Sequence, residues 1–124
     1  MANRFLKVAV VYFLLGNLLG MFMGISEDHT LIPVHAHINL LGWVSLALAG
    51  IVYRLFPTAA KSRLAPVHFW LYNIGLPIMM VAIAIELNGH PAVKPAIGIG
   101  AMLVIAAVVL FAVNVFRNVS SRDA

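Results

Sequence analysis

The chain has 124 residues, of which 63% are hydrophobic and only 10% are charged, and its mean hydropathy is +1.01. This composition provides too little polar surface for a soluble globular protein of this size. The sequence therefore predicts an integral membrane protein. Cysteine is absent, which excludes disulfides and thiolate metal sites. The net charge of +4 comes from basic residues that flank apolar segments, where they favour lipid headgroups over nucleic acid.

Four apolar segments of membrane-spanning length follow one another along the chain, at 5–24, 34–56, 66–87 and 94–116. About 20 helical residues, each rising about 1.5 Å, cross a hydrocarbon core of about 30 Å. The sequence therefore predicts an all-α bundle of four transmembrane helices, with residues 1–124 as a single membrane domain. The first segment is longer than the apolar region of a signal peptide, so we expect it to be a retained helix.

The basic residues predict the orientation of the bundle. Seven of the eight fall at one end: Arg4, Lys7, Arg54, Lys61, Arg63, Arg117 and Arg122. The other end carries only Lys94, together with Glu27 and Asp28 in the first connection. The positive-inside rule then predicts that both termini face the cytoplasm, in a multi-pass protein of a bacterial inner membrane. The lipid bilayer is the expected surrounding, and no nucleic-acid partner is expected.

Histidine is the main residue through which a chain without cysteine can bind a transition metal. Four histidines belong to the predicted outer half of the bundle: His29, His35, His37 and His90. The fifth, His68, lies near the inner start of the third helix, among the aromatic residues Phe69, Trp70 and Tyr72. We interpret His68 as an interfacial side chain within an aromatic belt at the headgroup level.

His35 and His37 are separated by two positions, and residues two apart on a helix point to nearly opposite sides. Only one of them can therefore face the bundle interior. His37 lies deeper and begins an expected inward stripe with Leu41 and Val44. His35 directly follows Pro33 and Val34, and we expect it to lie in an unwound start of the helix.

The second and third segments resemble a known family. The pattern that carries the similarity comprises His37, Asn39, Leu40, Leu41, Trp43, Gly50, Tyr53 and Pro57. It resembles the second transmembrane helix of the catalytic subunit of heme-copper oxidases, especially the nitric oxide reductase branch. The runs HFWL at 68–71 and NIG at 73–75 are similar to the start of that subunit's third helix. The likeness covers residues 33–80. It implies that His37 is an axial ligand of a low-spin heme near the outer membrane face.

The rest of that catalytic subunit has no counterpart in these four helices. Its later helices carry the second low-spin ligand and the histidines of the binuclear centre, and no further pair of helix histidines occurs in this sequence. A complete oxidase or reductase site is therefore not expected within one subunit. The resemblance implies instead a membrane-bound b-type heme protein for electron transfer or for binding a diatomic gas such as NO or O₂. A homo-oligomer or a larger respiratory assembly is expected.

The second axial ligand stays open at this point. His90 falls on the same side of the membrane as His37 and is the first candidate within the chain. His35, a methionine, a histidine of another subunit and an empty position are the alternatives. Two histidines would favour electron transfer, whereas an empty position would favour gas binding.

Three glycines at four-residue spacing, Gly16, Gly20 and Gly24, form a bare stripe on the first helix. Such a stripe allows close approach of another helix or of a flat porphyrin face. We expect Asn17 and Asn73 to bond to adjacent helices.

Two further functions remain open. In the first, His35 and His37 chelate copper from an extended backbone, near His29 and the methionines Met21 and Met23. In the second, the chain is a cofactor-free accessory subunit of a respiratory complex.

Overall fold

The computed structural model describes residues 1–123, which are predominantly helical and contain no β-strand within that range. Five helices follow in order: α1 (Ala2–Ser26), α2 (Ile32–Leu55), α3 (Pro57–Lys61), α4 (Leu64–Leu87) and α5 (Lys94–Asn118). Short 3₁₀ turns lie at Pro91–Val93 and Ser121–Asp123. Four of the helices are long and apolar enough to cross a membrane. The predicted all-α fold with four membrane-length helices is confirmed, and the chain is a multi-pass membrane protein.

Helices α4 and α5 form the most extensive contact between any two helices of the bundle. Two glycines bring their backbones together, because a Cβ atom on Gly100 would lie 2.6 Å from the backbone nitrogen of Met79. A Cβ atom on Gly75 would lie 2.8 Å from the carbonyl oxygen of Gly100. In a bilayer, where lipid tails are as apolar as side chains, such close packing holds helices together by dispersion contacts. Helices α4 and α5 therefore act as one tightly packed hairpin.

Helices α1 and α2 form a second hairpin, which meets the first across an aromatic core. Phe5 of α1 is fully buried, and its ring centroid lies 5.1 Å from that of Tyr53 and 5.1 Å from that of Phe69. Tyr72 of α4 is also buried. Large flat side chains on both hairpins fill the space between them at this level of the bundle.

The middle of α2 is not a regular α-helix. Ile38–Val44 is π-helical, between α-helical segments at Ile32–His37 and Ser45–Leu55. The hydroxyl of Ser45 donates to the carbonyl of Leu40 at 2.8 Å, and the hydroxyl of Tyr72 donates to the carbonyl of Leu41 at 2.7 Å. These donors bond carbonyls within the wider turns, which supports a π-segment where backbone pairing is altered.

The segments that carry the basic residues meet at one end of the bundle. The hydroxyl of Thr58 in α3 donates to the carboxylate of Asp123 at 3.0 Å, which joins the second connection to the C-terminal segment. Asn3 of the N-terminal segment lines a cavity with Arg54 and Lys61. At the opposite end, Nζ of Lys94 lies 4.0 Å from Oε1 of the partly buried Glu86. The charge asymmetry is thus a property of the folded bundle, and the side of the membrane that each end faces stays a prediction.

The expectation that Asn17 and Asn73 bond to adjacent helices is wrong. Asn17 donates to the carbonyl of Phe13 and Asn73 to the carbonyl of Phe69, each at 2.8 Å and each within its own helix. The reason is local, because the carbonyl four residues earlier is the nearest acceptor for a short polar side chain. The side-chain oxygen of Asn73 is buried without a hydrogen-bond partner in the part of the chain that the structure describes.

Candidate functional site

His35 lies inside the first helical segment of α2, so the expectation of an unwound start is wrong. The helix begins at Ile32, and the backbone N–H of His35 donates to the carbonyl of Leu31 at 2.9 Å. Pro33 does not interrupt the helix, because backbone N–H groups in the first turn have no acceptor within the helix, so the N–H that proline lacks is not needed there. Both His35 and His37 therefore project from helical backbone.

The glycine stripe of α1 accommodates two polar side chains of α2. A Cβ atom on Gly20 would lie 2.9 Å from Cε1 of His35, and one on Gly16 would lie 2.6 Å from Oδ1 of Asn39. The amide nitrogen of Asn39 donates to the His35 carbonyl at 3.1 Å and lies 3.3 Å from the ring nitrogen Nε2 of His35. At Gly16 and Gly20 the stripe is therefore a helix-packing surface, whereas Gly24 has no neighbouring atom within 4 Å.

Gly16→Ala is expected to destabilise the protein by about 1–2 kcal/mol, because the added methyl overpacks against Asn39 and Ile38. Gly24→Ala is the matched control on the same helix, and its favourable helix propensity of up to about 1 kcal/mol should leave stability unchanged or raised. Thermal unfolding in detergent, followed by circular dichroism, measures both variants. Equal melting temperatures for the two would contradict the packing role of Gly16.

His37 has a fixed tautomer and a free ring nitrogen. Its Nδ1 atom lies 2.6 Å from the carbonyl oxygen of Pro33, and a carbonyl only accepts, so Nδ1 carries the proton. The lone pair of Nε2 is left available. Beside the ring is a cavity of about 260 Å³, lined by Ala36, His37, Leu40 and Leu41. An imidazole held in this way can ligate a metal ion through Nε2.

The expected inward stripe of His37, Leu41 and Val44 is wrong. Val44 is 41% exposed, and the buried face of the outer part of α2 is instead formed by Val34, Ile38 and Gly42. The reason is that α2 turns this neighbouring face toward α1, where the ring of Tyr12 packs against Gly42. His35 packs against α1, and His37 lies on the side of the bundle.

The remaining outer histidines lie in the connections. His90 is exposed ahead of the turn Pro91–Val93, and its ring makes no hydrogen bond within residues 1–123. His29 is exposed, and its Nδ1 donates to the carbonyl of Glu27 at 3.2 Å. Nearby, the hydroxyl of Thr30 donates to the Asp28 carboxylate and lowers the pKa of that carboxyl below its usual value. No group of three or more metal-binding side chains occurs among the described residues.

Copper chelation by His35 and His37 was expected to use an extended backbone, and the structure has a helix there instead. Both residues lie in a helical segment, so they are not on the extended backbone that paired chelation at two-residue spacing requires. His35 contacts Gly20 and Asn39, whereas His37 contacts Pro33. The structure does not bring these two rings into one site.

His68 is a buried core residue, so its interpretation as an interfacial side chain is wrong. It is 3% exposed, and its ring centroid lies 4.8 Å from those of Phe5 and Phe111. Its Nδ1 atom lies 2.9 Å from the hydroxyl oxygen of Tyr53. The hydrogen bond to Tyr53 offsets part of the cost of burying His68, because it gives one ring nitrogen of the imidazole a partner inside the core.

A chain of amides continues this hydrogen-bond network into α5. Asn114 is fully buried, and its Nδ2 atom donates to the Tyr53 oxygen at 3.4 Å and to the Ala59 carbonyl at 3.0 Å. Asn118 donates to Oδ1 of Asn114 at 2.7 Å. Sequence reasoning missed Asn114, although an amide within the otherwise apolar segment 94–116 is the signal that could have found it.

The fold and these side chains define a four-helix membrane protein with two separate histidine environments, a lateral one at His37 and a buried one at His68. Comparison of the chain with family models, curated proteins and solved structures gives no match. The resemblance to heme-copper oxidases stays a prediction that rests on the residues named above.

Proposed function

We propose that this chain is a membrane-bound b-type heme protein in which His37 supplies an axial ligand to the iron. The observation that carries the proposal is the 2.6 Å contact from Nδ1 of His37 to the Pro33 carbonyl. Histidines that ligate metals usually donate their other ring N–H to such an acceptor, which fixes the tautomer and orients the free nitrogen. The resemblance of 33–80 to the heme-binding helices of heme-copper oxidases supports the same residue.

The surroundings of His37 supply one wall of a heme site. The cavity beside it is apolar and has a volume of about 260 Å³, and its lining residues Ala36, Leu40 and Leu41 all belong to α2. Enclosed small-molecule sites commonly have volumes of about 300–1,000 Å³ and several walls. The free ring nitrogen Nε2 of His37 fits axial ligation of heme iron. We infer that a second chain completes the site, either another copy or a partner in a larger respiratory assembly.

The second ligand then distinguishes two modes of action. His35 is engaged with Asn39 and Gly20, so His90, or a histidine of the second chain, is the better candidate. Bound heme supplies one-electron redox chemistry when it has two protein ligands and a binding position for NO or O₂ when it has one. We further propose a bacterial inner-membrane location with the basic end in the cytoplasm, which puts His37 toward the outer face.

His37→Ala is expected to abolish the heme spectrum, because it removes the only ring nitrogen that the proposal assigns to iron from this helix. Optical spectra of the detergent-purified protein, oxidised and then dithionite-reduced, measure the loss. His29→Ala is the matched control, since His29 is an exposed outer histidine without an assigned role. Imidazole added to His37→Gly is expected to restore the Soret band.

The heme content separates the remaining possibilities. One heme for every two chains, measured beside the mass of the oligomer, would support a site shared between copies, and a spectral shift under carbon monoxide would indicate an open position. A Soret band that His37→Ala leaves intact would overturn the assignment. A colourless protein produced with heme available would overturn heme binding altogether, and metal analysis would then test for copper.

A further inference from the structure

A second cavity, of about 280 Å³, lies between α2 and the hairpin of α4 and α5. It is separate from the cavity at His37 except for the shared wall residue Leu41. Its lining is apolar apart from a few groups: Ser45, His68 and Tyr72. Of these, His68 is the residue whose hydrogen bonds point to a ligand.

The buried network fixes which nitrogen of His68 carries a proton. The Tyr53 oxygen has two bonded neighbours, and since the Asn114 amide nitrogen only donates, Nδ1 of His68, 2.9 Å away, is the one that can accept the Tyr53 O–H. An Nδ1 atom that accepts this bond leaves the proton of the neutral ring on Nε2. The bond to Tyr53 through Nδ1 is the only hydrogen bond of the His68 ring within residues 1–123, so Nε2–H is left without an acceptor, and the ring lines the cavity. A side chain that is 3% exposed thus presents an unpaired donor to an apolar space.

The cavity opens sideways toward lipid. Leu48 and Val108 line it and are 57% and 47% exposed on membrane-spanning helices, where the exposed surface faces acyl chains. A donor that faces an apolar space without a partner is unfavourable, so an acceptor that pairs with it gains affinity.

We propose that this cavity binds a bilayer-soluble molecule that carries a carbonyl acceptor on a flat ring, the chemistry of a quinone headgroup. The ring packs between Ala49, Val52 and Phe111, and the carbonyl accepts from Nε2–H of His68. The inference stands apart from the proposed function, because it uses neither His37 nor a bound heme.

Binding of decylubiquinone tests the site. The full chain is placed in nanodiscs of ether lipids, which contain no ester carbonyls, and is labelled with ¹⁵N-histidine. We expect saturable binding of one molecule per chain together with a shift of the His68 Nε2 resonance. Decylbenzene, which has a ring and a tail without carbonyls, is expected to cause no such shift.

Substitutions separate the hydrogen bond from the shape of the cavity. His68→Phe keeps a ring and removes the donor, and it is expected to weaken decylubiquinone binding about tenfold. Val52→Phe fills the space without touching the network and is expected to abolish binding. Trp70→Phe, on the exposed face of α4, is the control that should leave affinity unchanged.

Circular dichroism and thermal unfolding confirm that each variant is folded before its binding is measured. Absence of saturable binding to the wild type would overturn the proposal. So would decylbenzene that binds as tightly as decylubiquinone, or two folded variants, His68→Phe and Val52→Phe, that both keep wild-type affinity.

Discussion

Gly100→Ala is expected to lower the free energy of unfolding by about 2 kcal/mol, because it overpacks a close backbone contact between α4 and α5. The new methyl would lie 2.6 Å from the backbone nitrogen of Met79 and 2.8 Å from the carbonyl of Gly75. Both contact atoms belong to the backbone of α4, so no side-chain rotation can relieve the clash, and α5 must move as a whole. Unfolding by a graded denaturing detergent, followed by circular dichroism, measures the effect.

Gly98→Ala is the matched control for this substitution. Gly98 lies two residues earlier on the same helix and has no atom within 4 Å of its added methyl. Its intrinsic effect on the helix is the same as that of Gly100→Ala, so the difference between the variants reports the contact of α5 with α4. If Gly100→Ala is as stable as Gly98→Ala, the two helices are not held at the observed separation.

Asn114→Leu is expected to destabilise the protein by about 2–3 kcal/mol, because it removes a buried amide that serves several partners. The substitution approximately keeps the side-chain volume but removes the hydrogen bonds that Asn114 makes with the Ala59 carbonyl, the Tyr53 oxygen and the Asn118 amide. Hydrogen bonds between membrane helices average about 0.6 kcal/mol, so the larger value reflects the loss of several at once. Equilibrium unfolding in detergent measures it.

Asn17→Leu is the control for the loss of an asparagine from a membrane-length helix. Asn17 is exposed and bonds only to Phe13 of its own helix, so a change within about 0.5 kcal/mol is expected. Equal stability of the Asn17 and Asn114 variants would show that the buried amide network contributes little to the fold.

The number and order of the long helices could be predicted from the sequence, because membrane-spanning length is a local property of an apolar segment. The predicted spans at 34–56 and 66–87 correspond to helices Ile32–Leu55 and Leu64–Leu87. The collection of the basic segments at one end also follows directly, because an even number of spans returns the chain to its starting side. Helix packing at two of the three glycines of α1 was one of two readings of their spacing.

The faces of those helices could not be predicted in the same way. A four-residue repeat locates a stripe, but its rotation toward a neighbour depends on packing against other helices, and α2 presents His35 rather than His37 to α1. The burial of His68 depends on partners distant in sequence, Phe5 and Tyr53, which no local pattern connects. Asn17 and Asn73 show the opposite case, in which a local carbonyl accepts the bond that a neighbouring helix was expected to accept.

The π-helical segment Ile38–Val44 sets the angular phase between two ends of one helix. The outer end carries His35 and His37, and the inner end carries Tyr53, which holds His68. Each residue advances an α-helix by about 100°, and the wider turns of a π-helix advance each residue by less, so these seven residues rotate the helix less than seven α-helical residues would. The relative orientation of the two histidine environments about the helix axis therefore depends on this segment. Conversion of this segment to a regular α-helix at unchanged length would rotate one environment against the other, although it would remove no side chain from either.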